Sequence, residues 1–196
     1  MIIKKSAIFF ILFFVMSLPV WAIETTGNIN LIAGKKNWSD DWDPISKMQD
    51  EFGVSFDIKE KSWPVCIAIE TFGSSGDRSE YFLSQGNNVF RKIKVETGEF
   101  CLGLKKIIDI PKIPVKPFFG AGFAYAYAET NVKYESYSYS VDDSTLGLWM
   151  SGGIYITLFE RINAGVIARM SWAEVDHNKK FDVGGEHYGI FIGYHW

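Results

Sequence analysis

Residues 187–196 read HYGIFIGYHW, and a large apolar side chain stands at every second position of this stretch. The positions of that parity are Tyr188, Ile190, Ile192, Tyr194 and Trp196. The positions between them hold two histidines, two glycines and one phenylalanine. Because successive side chains of a β-strand point to opposite faces of the sheet, this alternation predicts a strand with one large apolar face.

The same alternation recurs in seven further segments, which are separated by glycine, asparagine, aspartate and serine. The eight predicted strands cover residues 27–35, 50–60, 63–73, 91–106, 116–130, 145–158, 161–175 and 185–196. Their connections are alternately long and short. At one end two connections are tight, 60–62 and 159–160, and a longer proline-rich link covers 105–116; the four connections at the other end are 36–49, 74–90, 131–144 and 176–184. This asymmetry predicts antiparallel strands with all the long connections at one end.

The two faces differ most clearly in the fifth segment, where residues 119–128 read FGAGFAYAYA. Elsewhere the face opposite the large side chains also carries glutamate, aspartate, arginine and asparagine. A soluble barrel of the lipocalin type, the alternative fold, would bury the large apolar face. Small and charged side chains suit the interior of a narrow barrel, with the large apolar side chains facing lipid. The sequence therefore predicts an all-β, eight-stranded antiparallel up-and-down transmembrane β-barrel.

The composition fits one ordered domain. The 196 residues are 47% hydrophobic and 22% charged, close to globular averages, whereas aromatic residues reach 16%. With 20 basic and 23 acidic residues, the chain has no excess of positive charge for binding nucleic acid.

The N-terminal stretch is interpreted as a secretory signal peptide. Lys4 and Lys5 precede an apolar run that Pro19 ends, and a cleavage sequence follows at residues 20–22. An uncleaved membrane anchor is the alternative, but the run is shorter than the ~20 residues that a bilayer-spanning helix needs. Residues 1–22 are predicted to be the signal peptide and residues 23–196 the barrel domain.

The C-terminal stretch resembles the C-terminal signal of bacterial outer-membrane proteins, which ends on an aromatic residue. Residues 117–125, PFFGAGFAY, are similar to strands of small eight-stranded barrels such as the OmpA transmembrane domain, OmpX and OmpW. The resemblance assigns no subfamily. It implies Sec-type export to the outer membrane of a Gram-negative-type bacterium and contact with membrane lipid and lipopolysaccharide. It also implies that the barrel-assembly machinery reads Tyr188, Ile190, Ile192, Tyr194 and Trp196. A monomer is expected.

Seven charged residues are predicted to face the barrel interior: Glu51, Asp57, Lys59, Glu70, Glu99, Arg161 and Arg169. Isolated charges there would be costly, and eight strands are too few for an open aqueous channel. A paired network that fills the interior is therefore preferred to a pore lining.

Cys66 and Cys101 fall on the third and fourth predicted strands, and both are expected to point inward. If the strands pair with these residues opposite each other, a disulfide is feasible in an oxidising compartment. Two free buried thiols are the alternative.

Other candidate sites carry weaker signals. A hydrolase would need a histidine beside a serine, and no serine follows His177, His187 or His195 at a suitable spacing. The acidic and aromatic segment 37–44 lacks the ordered spacing of a calcium loop, and a solvated loop is preferred. We therefore expect no enzyme activity, metal or cofactor.

The predicted function is that of an integral outer-membrane β-barrel with a largely filled interior and a structural or surface-interaction role. A narrow conduit for small apolar molecules, by analogy with OmpW, is the first alternative. A rim-located lipid-modifying hydrolase is the second.

Overall fold

The computed structural model describes residues 24–37, 48–84, 87–134, 137–177 and 179–196. The predicted signal peptide and all but the first residue of segment 37–44 lie outside the described residues. No helix long and apolar enough to cross a membrane occurs in the part of the chain that the structure describes.

The described residues form ten strands. They are β1 (Thr25–Asn37), β2 (Met48–Glu60), β3 (Cys66–Ser84), β4 (Asn87–Ile107), β5 (Val115–Tyr134), β6 (Ser138–Leu158), β7 (Ile162–Trp172), β8 (Glu174–His177), β9 (Lys179–Asp182) and β10 (Gly185–His195). Eight of them close a barrel in the order β1-β10-β7-β6-β5-β4-β3-β2, and β8 and β9 form a separate hairpin. Every pairing is antiparallel. The predicted eight-stranded up-and-down barrel is confirmed.

The barrel closes where the first strand pairs with the last. This seam runs from Asn28 opposite His195 to Asn37 opposite Glu186. Gly34 lies opposite Gly189 within it, and a Cβ atom on Gly34 would lie 2.2 Å from the carbonyl oxygen of Tyr188. The close approach of the two backbones at the seam therefore requires a glycine at this position.

The two faces of the strands point as the alternation predicts. In β10 the side chains of Tyr188, Ile190 and Ile192 are 55%, 66% and 59% exposed, whereas those of His187 and Phe191 are buried. A soluble barrel would have the opposite arrangement, with its largest apolar side chains inside. The exposed apolar belt is the surface expected of a barrel surrounded by lipid.

The barrel wall is uneven in height, and this corrects the predicted loops. Strands β3 to β6 have 19 to 21 residues, whereas β7 and β10 have 11 each. Most of the predicted long connections 74–90 and 131–144 are strand, and 176–184 contains most of the β8–β9 hairpin. We call residues 75–84, 87–96, 129–134 and 138–142 the protruding sheet. On β3 the protruding sheet extends beyond Ser75, which is the last residue of this strand that pairs with β2.

The opposite end of the barrel carries short turns, close to the positions predicted. They cover residues 61–65, 108–114 and 159–161. Phe159 and Glu160 have positive φ angles of 50° and 61°, as a tight hairpin turn that matches the strand twist requires.

Candidate functional sites: a filled interior and a protruding sheet

Glu99 of β4 is the centre of a charged cluster inside the barrel. Its Oε1 atom lies 2.8 Å from Lys36 Nζ, and its Oε2 atom accepts a hydrogen bond from Arg169 Nη2. The Arg169 guanidinium also lies 4.5 Å from the centre of the Phe72 ring. Lys36 has a second bond, 2.8 Å to the carbonyl oxygen of Val183. Two cations, one from β1 and one from β7, thus share one buried carboxylate.

His187 connects this cluster to Glu51. Its Nδ1 atom lies 2.6 Å from Glu51 Oε2, and its Nε2 atom lies 3.2 Å from Arg169 Nη1. Because an arginine can only donate, Nε2 accepts its hydrogen bond. The proton of the imidazole is then on Nδ1, which donates a hydrogen bond to Glu51. The contacts therefore fix the tautomer of a neutral imidazole.

Ser171 completes a serine, histidine and carboxylate arrangement that the sequence did not reveal. Its Oγ atom lies 3.1 Å from His187 Nε2 and 3.2 Å from Glu99 Oε1. Ser171 and His187 are 16 positions apart along the chain, but their strands, β7 and β10, are neighbours in the barrel. Ser171, His187 and Glu51 are all buried, and Arg169 also contacts the His187 Nε2 atom. We interpret the arrangement as part of the charged network.

A second polar cluster lies nearer the end of the barrel where β1 begins and β10 ends. Lys105 Nζ lies 3.3 Å from Asp57 Oδ2 and 3.0 Å from Glu70 Oε1. Asn28 donates a 2.6 Å hydrogen bond to Asp57 and accepts one of 2.8 Å from Asn163. This cluster holds the two carboxylates around a single ammonium group and a network of amides.

Five of the seven charged residues predicted to face inward are buried in the interior, Glu51, Glu99 and Arg169 in the first cluster and Asp57 and Glu70 in the second. Lys59 is half-buried, and its Nζ donates to the carbonyl oxygen of Trp63 at 3.3 Å. The inward prediction for Arg161 is wrong. Since β7 begins at Ile162, Arg161 lies exposed in the turn and donates a 2.8 Å hydrogen bond to the Tyr194 hydroxyl.

The register on which a Cys66–Cys101 disulfide depended does not occur. The β3–β4 hairpin closes with Ser84 opposite Asn87, and this register places Cys66 opposite Lys105 and Cys101 opposite Glu70. Both cysteines are free and buried. The alternative of two free thiols is the one that the structure shows.

An apolar layer separates the two polar clusters along the barrel axis. It consists of Ile32, Phe72, Phe118, Tyr155, Ile167 and Phe191. Between this layer and the Asp57 cluster is a cavity of about 10 Å³, a volume that has room for about one water molecule. A wider cavity of about 150 Å³ lies at the end where β1 begins and β10 ends, and Lys59, Lys61 and His195 border it. Ion pairs, amides and rings thus occupy successive levels of the interior.

The protruding sheet carries charges whose titration its neighbours control. A hydrogen bond and charge attraction from Lys92 lower the pKa of Asp77, and the two groups are 3.0 Å apart. Hydrogen bonds from Asn131, Tyr127 and Ser140 lower the pKa of Glu129. Both carboxylates therefore remain ionised at pH values where an ordinary carboxyl group begins to protonate.

Comparison with known proteins shows the fold. No protein-family model and no curated sequence matches the chain. The structure is similar to that of Ail, the attachment invasion locus protein of Yersinia pestis, solved in complex with the heparin analogue sucrose octasulfate. The TM-score is 0.58 at 11% identity, over 88% of this chain and 99% of that one. A major outer membrane protein from Thermus thermophilus matches with a TM-score of 0.54 at 9% identity, over 88% and 100% of the two chains. The fold is that of a small outer-membrane β-barrel.

In this outer-membrane β-barrel fold, the residues predicted as the C-terminal signal share one surface. Tyr188, Ile190, Ile192, Tyr194 and Trp196 are all exposed on the outer side of the wall. Trp196 closes against β1, where its backbone exchanges hydrogen bonds of 3.2 Å with Gly27. The segment is therefore both an apolar outer surface and part of the seam.

Proposed function

We propose that the chain is an integral outer-membrane protein whose barrel serves as an anchor and whose protruding sheet meets partners outside the cell. The observation that carries this proposal is the uneven wall. Strands β3 to β6 extend about twice as far as β7 and β10, and they do so at the end opposite the short turns. In outer-membrane barrels the short turns face the periplasm and the long excursions face the exterior.

The filled interior supports an anchoring role over a conduit. Lys36 and Arg169 each form an ion pair with Glu99 across the barrel interior, and the apolar layer lies below them. A narrow conduit for small apolar molecules would have to displace both. The proposed role of Ser171, His187 and Glu51 is to hold this packing together rather than to catalyse a reaction.

The surroundings of the barrel follow from its outer surface. The exposed apolar belt is proposed to contact membrane lipid and lipopolysaccharide, and the C-terminal segment to be recognised by the barrel-assembly machinery after export. A single barrel closes all its own strands, so a monomer is the proposed state.

Labelling of introduced cysteines on intact cells tests the orientation. Ser79 is exposed on the protruding sheet and Ser62 is exposed in a short turn. We expect Ser79→Cys to react with a membrane-impermeant maleimide on intact cells, and Ser62→Cys to react only after the outer membrane is permeabilised. Because Cys66 and Cys101 are buried, the unmodified protein is the blank. The reverse pattern of labelling would overturn the proposal.

A further inference from the structure

We propose that the outer face of the protruding sheet binds an anionic polysaccharide that approaches from outside the cell. The inference rests on the proposed orientation of this sheet and names the chemical class of its partner.

The strand register arranges this face in four rows. From the tip toward the barrel they are Tyr81–Phe90, then Ser79–Lys92–Lys133–Ser138, then Asp77–Lys94–Asn131–Ser140, then Ser75–Glu96–Glu129–Asp142. Among the side chains that the structure describes, rings thus lie nearest the tip, the lysines with hydroxyl groups and the Asp77 carboxylate lie in the middle, and the other carboxylates lie at the base.

Three lysines form the basic patch in the middle of the face. Lys92 lies directly opposite Lys133, and Lys94 is the next residue of the same parity on β4. Like charges placed directly opposite each other destabilise a sheet, and within the protein the Asp77 carboxylate, 3.0 Å from Lys92 Nζ, compensates one of the two charges. Lys92 contacts Asp77 and Lys94 contacts Glu96, but the two lysine side chains remain 46% and 48% exposed. Their ammonium groups are therefore accessible to an anion from solution.

The groups around the lysines suit a sugar. Tyr81 is 74% exposed, and its ring lies 5.2 Å from that of Phe90, which supports it from one side. An exposed, supported ring can stack on the apolar face of a pyranose. Ser79 and Ser138 flank the lysines in their row and offer hydroxyl groups for the hydroxyls of a sugar. Lysine is depleted from protein–protein interfaces, so this composition favours a polysaccharide over a protein.

The carboxylates at the base indicate where the partner comes from. Glu96, Glu129 and Asp142 lie between the lysines and the membrane-spanning part of the barrel. Anionic groups of lipids in the same membrane would meet these carboxylates first and be repelled. The lysines are therefore placed for a chain that approaches the tip from the exterior.

Titration of the folded full-length protein in detergent micelles with dextran sulfate tests the proposal, with unsulfated dextran of equal length as the neutral probe. We expect saturable binding of dextran sulfate alone. The triple variant Lys92→Gln, Lys94→Gln, Lys133→Gln should bind it about tenfold more weakly or worse, since three exposed charge contacts are lost. The matched control is Lys59→Gln, Lys61→Gln, Lys116→Gln, which removes the same charge at the other end of the barrel and should leave the affinity unchanged.

A second variant examines the ring separately from the charges. Tyr81→Ala should weaken binding several-fold with an unchanged dependence on salt, and Tyr81→Phe should restore the affinity, because only the ring face is needed.

Several outcomes would overturn the proposal. These are no saturable binding of dextran sulfate, equal loss in the two triple variants, tighter binding of polyglutamate, or tighter binding of the phosphorylated core oligosaccharide of lipopolysaccharide. If Ser79→Cys is labelled on intact cells and dextran sulfate does not bind, the orientation stands and only the polysaccharide inference fails.

Discussion

The charge balance of the interior cluster around Lys36 and Arg169 depends on Glu99. Removing its charge by Glu99→Gln leaves Lys36 and Arg169 buried without their shared counterion. Breaking a buried pair in this way typically costs about 3–5 kcal/mol of unfolding free energy. Urea unfolding in micelles should show this loss for Glu99→Gln. Glu96→Gln, on the exposed face of the same strand, is the control, and equal effects of the two changes would contradict the role given to Glu99.

The ion pair between Asp77 and Lys92 predicts a pH dependence. Because Lys92 lowers the pKa of Asp77, the pair persists from neutral pH down through the ordinary carboxyl range of about 4, and it is lost only below that range. Carbon NMR titration of the Asp77 carboxyl group should show its pKa rising toward the ordinary value in Lys92→Gln. Ser79→Ala, on the same face, should leave the titration unchanged. An unchanged pKa in Lys92→Gln would show that the pair does not form in solution.

At the scale of single strands, local pattern explains what the sequence could and could not predict. The alternation in β10 needs only neighbouring residues and a lipid exterior, so its two faces were predictable. Above the membrane the exterior becomes water, and the pattern inverts. In β4 the buried positions hold Ile93 and Val95, while Lys92 and Lys94 face outward. These β4 residues fall within the predicted strand 91–106, but the rest of the sheet, at 75–84, 87–90, 131–134 and 138–142, resembles loops and was predicted as connections.

Contacts between strands were less predictable than the strands themselves. Lys36 and Lys105, the cations that neutralise Glu99 and Asp57, fall at the starts of predicted connections and were not assigned to the interior. The proximity of Ser171 to His187 depends on the register of β7 against β10. Register is set by the whole hairpin, so spacing along the chain carries little information about it.

The seam between β1 and β10 predicts a site of steric sensitivity. Gly34→Ala would place a methyl group 2.2 Å from the carbonyl oxygen of Tyr188, so the strands must separate locally. We expect a loss of about 1–3 kcal/mol in stability, measured by urea unfolding. Gly73→Ala is the matched control, because a Cβ atom there has only an ordinary contact of 3.9 Å with the Thr97 carbonyl oxygen. Equal stability of the two variants would contradict the close packing of the seam.

At the scale of the whole molecule, the filled interior predicts the absence of ion conduction. The cavity between the apolar layer and the Asp57 cluster has a volume of only about 10 Å³. Purified protein inserted into planar bilayers should therefore give no stepwise current, under conditions in which a porin gives clear steps. Reproducible unitary conductance would show that the interior opens and would favour the conduit.

The bonding state of the two buried cysteines would distinguish closed barrels from chains that have not closed. In the closed barrel the register keeps Cys66 and Cys101 four residues out of alignment, so the native state offers them no partner in each other. A chain stalled before closure in an oxidising compartment has no such restraint, and its thiols are free to crosslink. A Cys66–Cys101 bridge recovered from cells would thus mark molecules that failed to mature, and its abundance would report the efficiency of biogenesis.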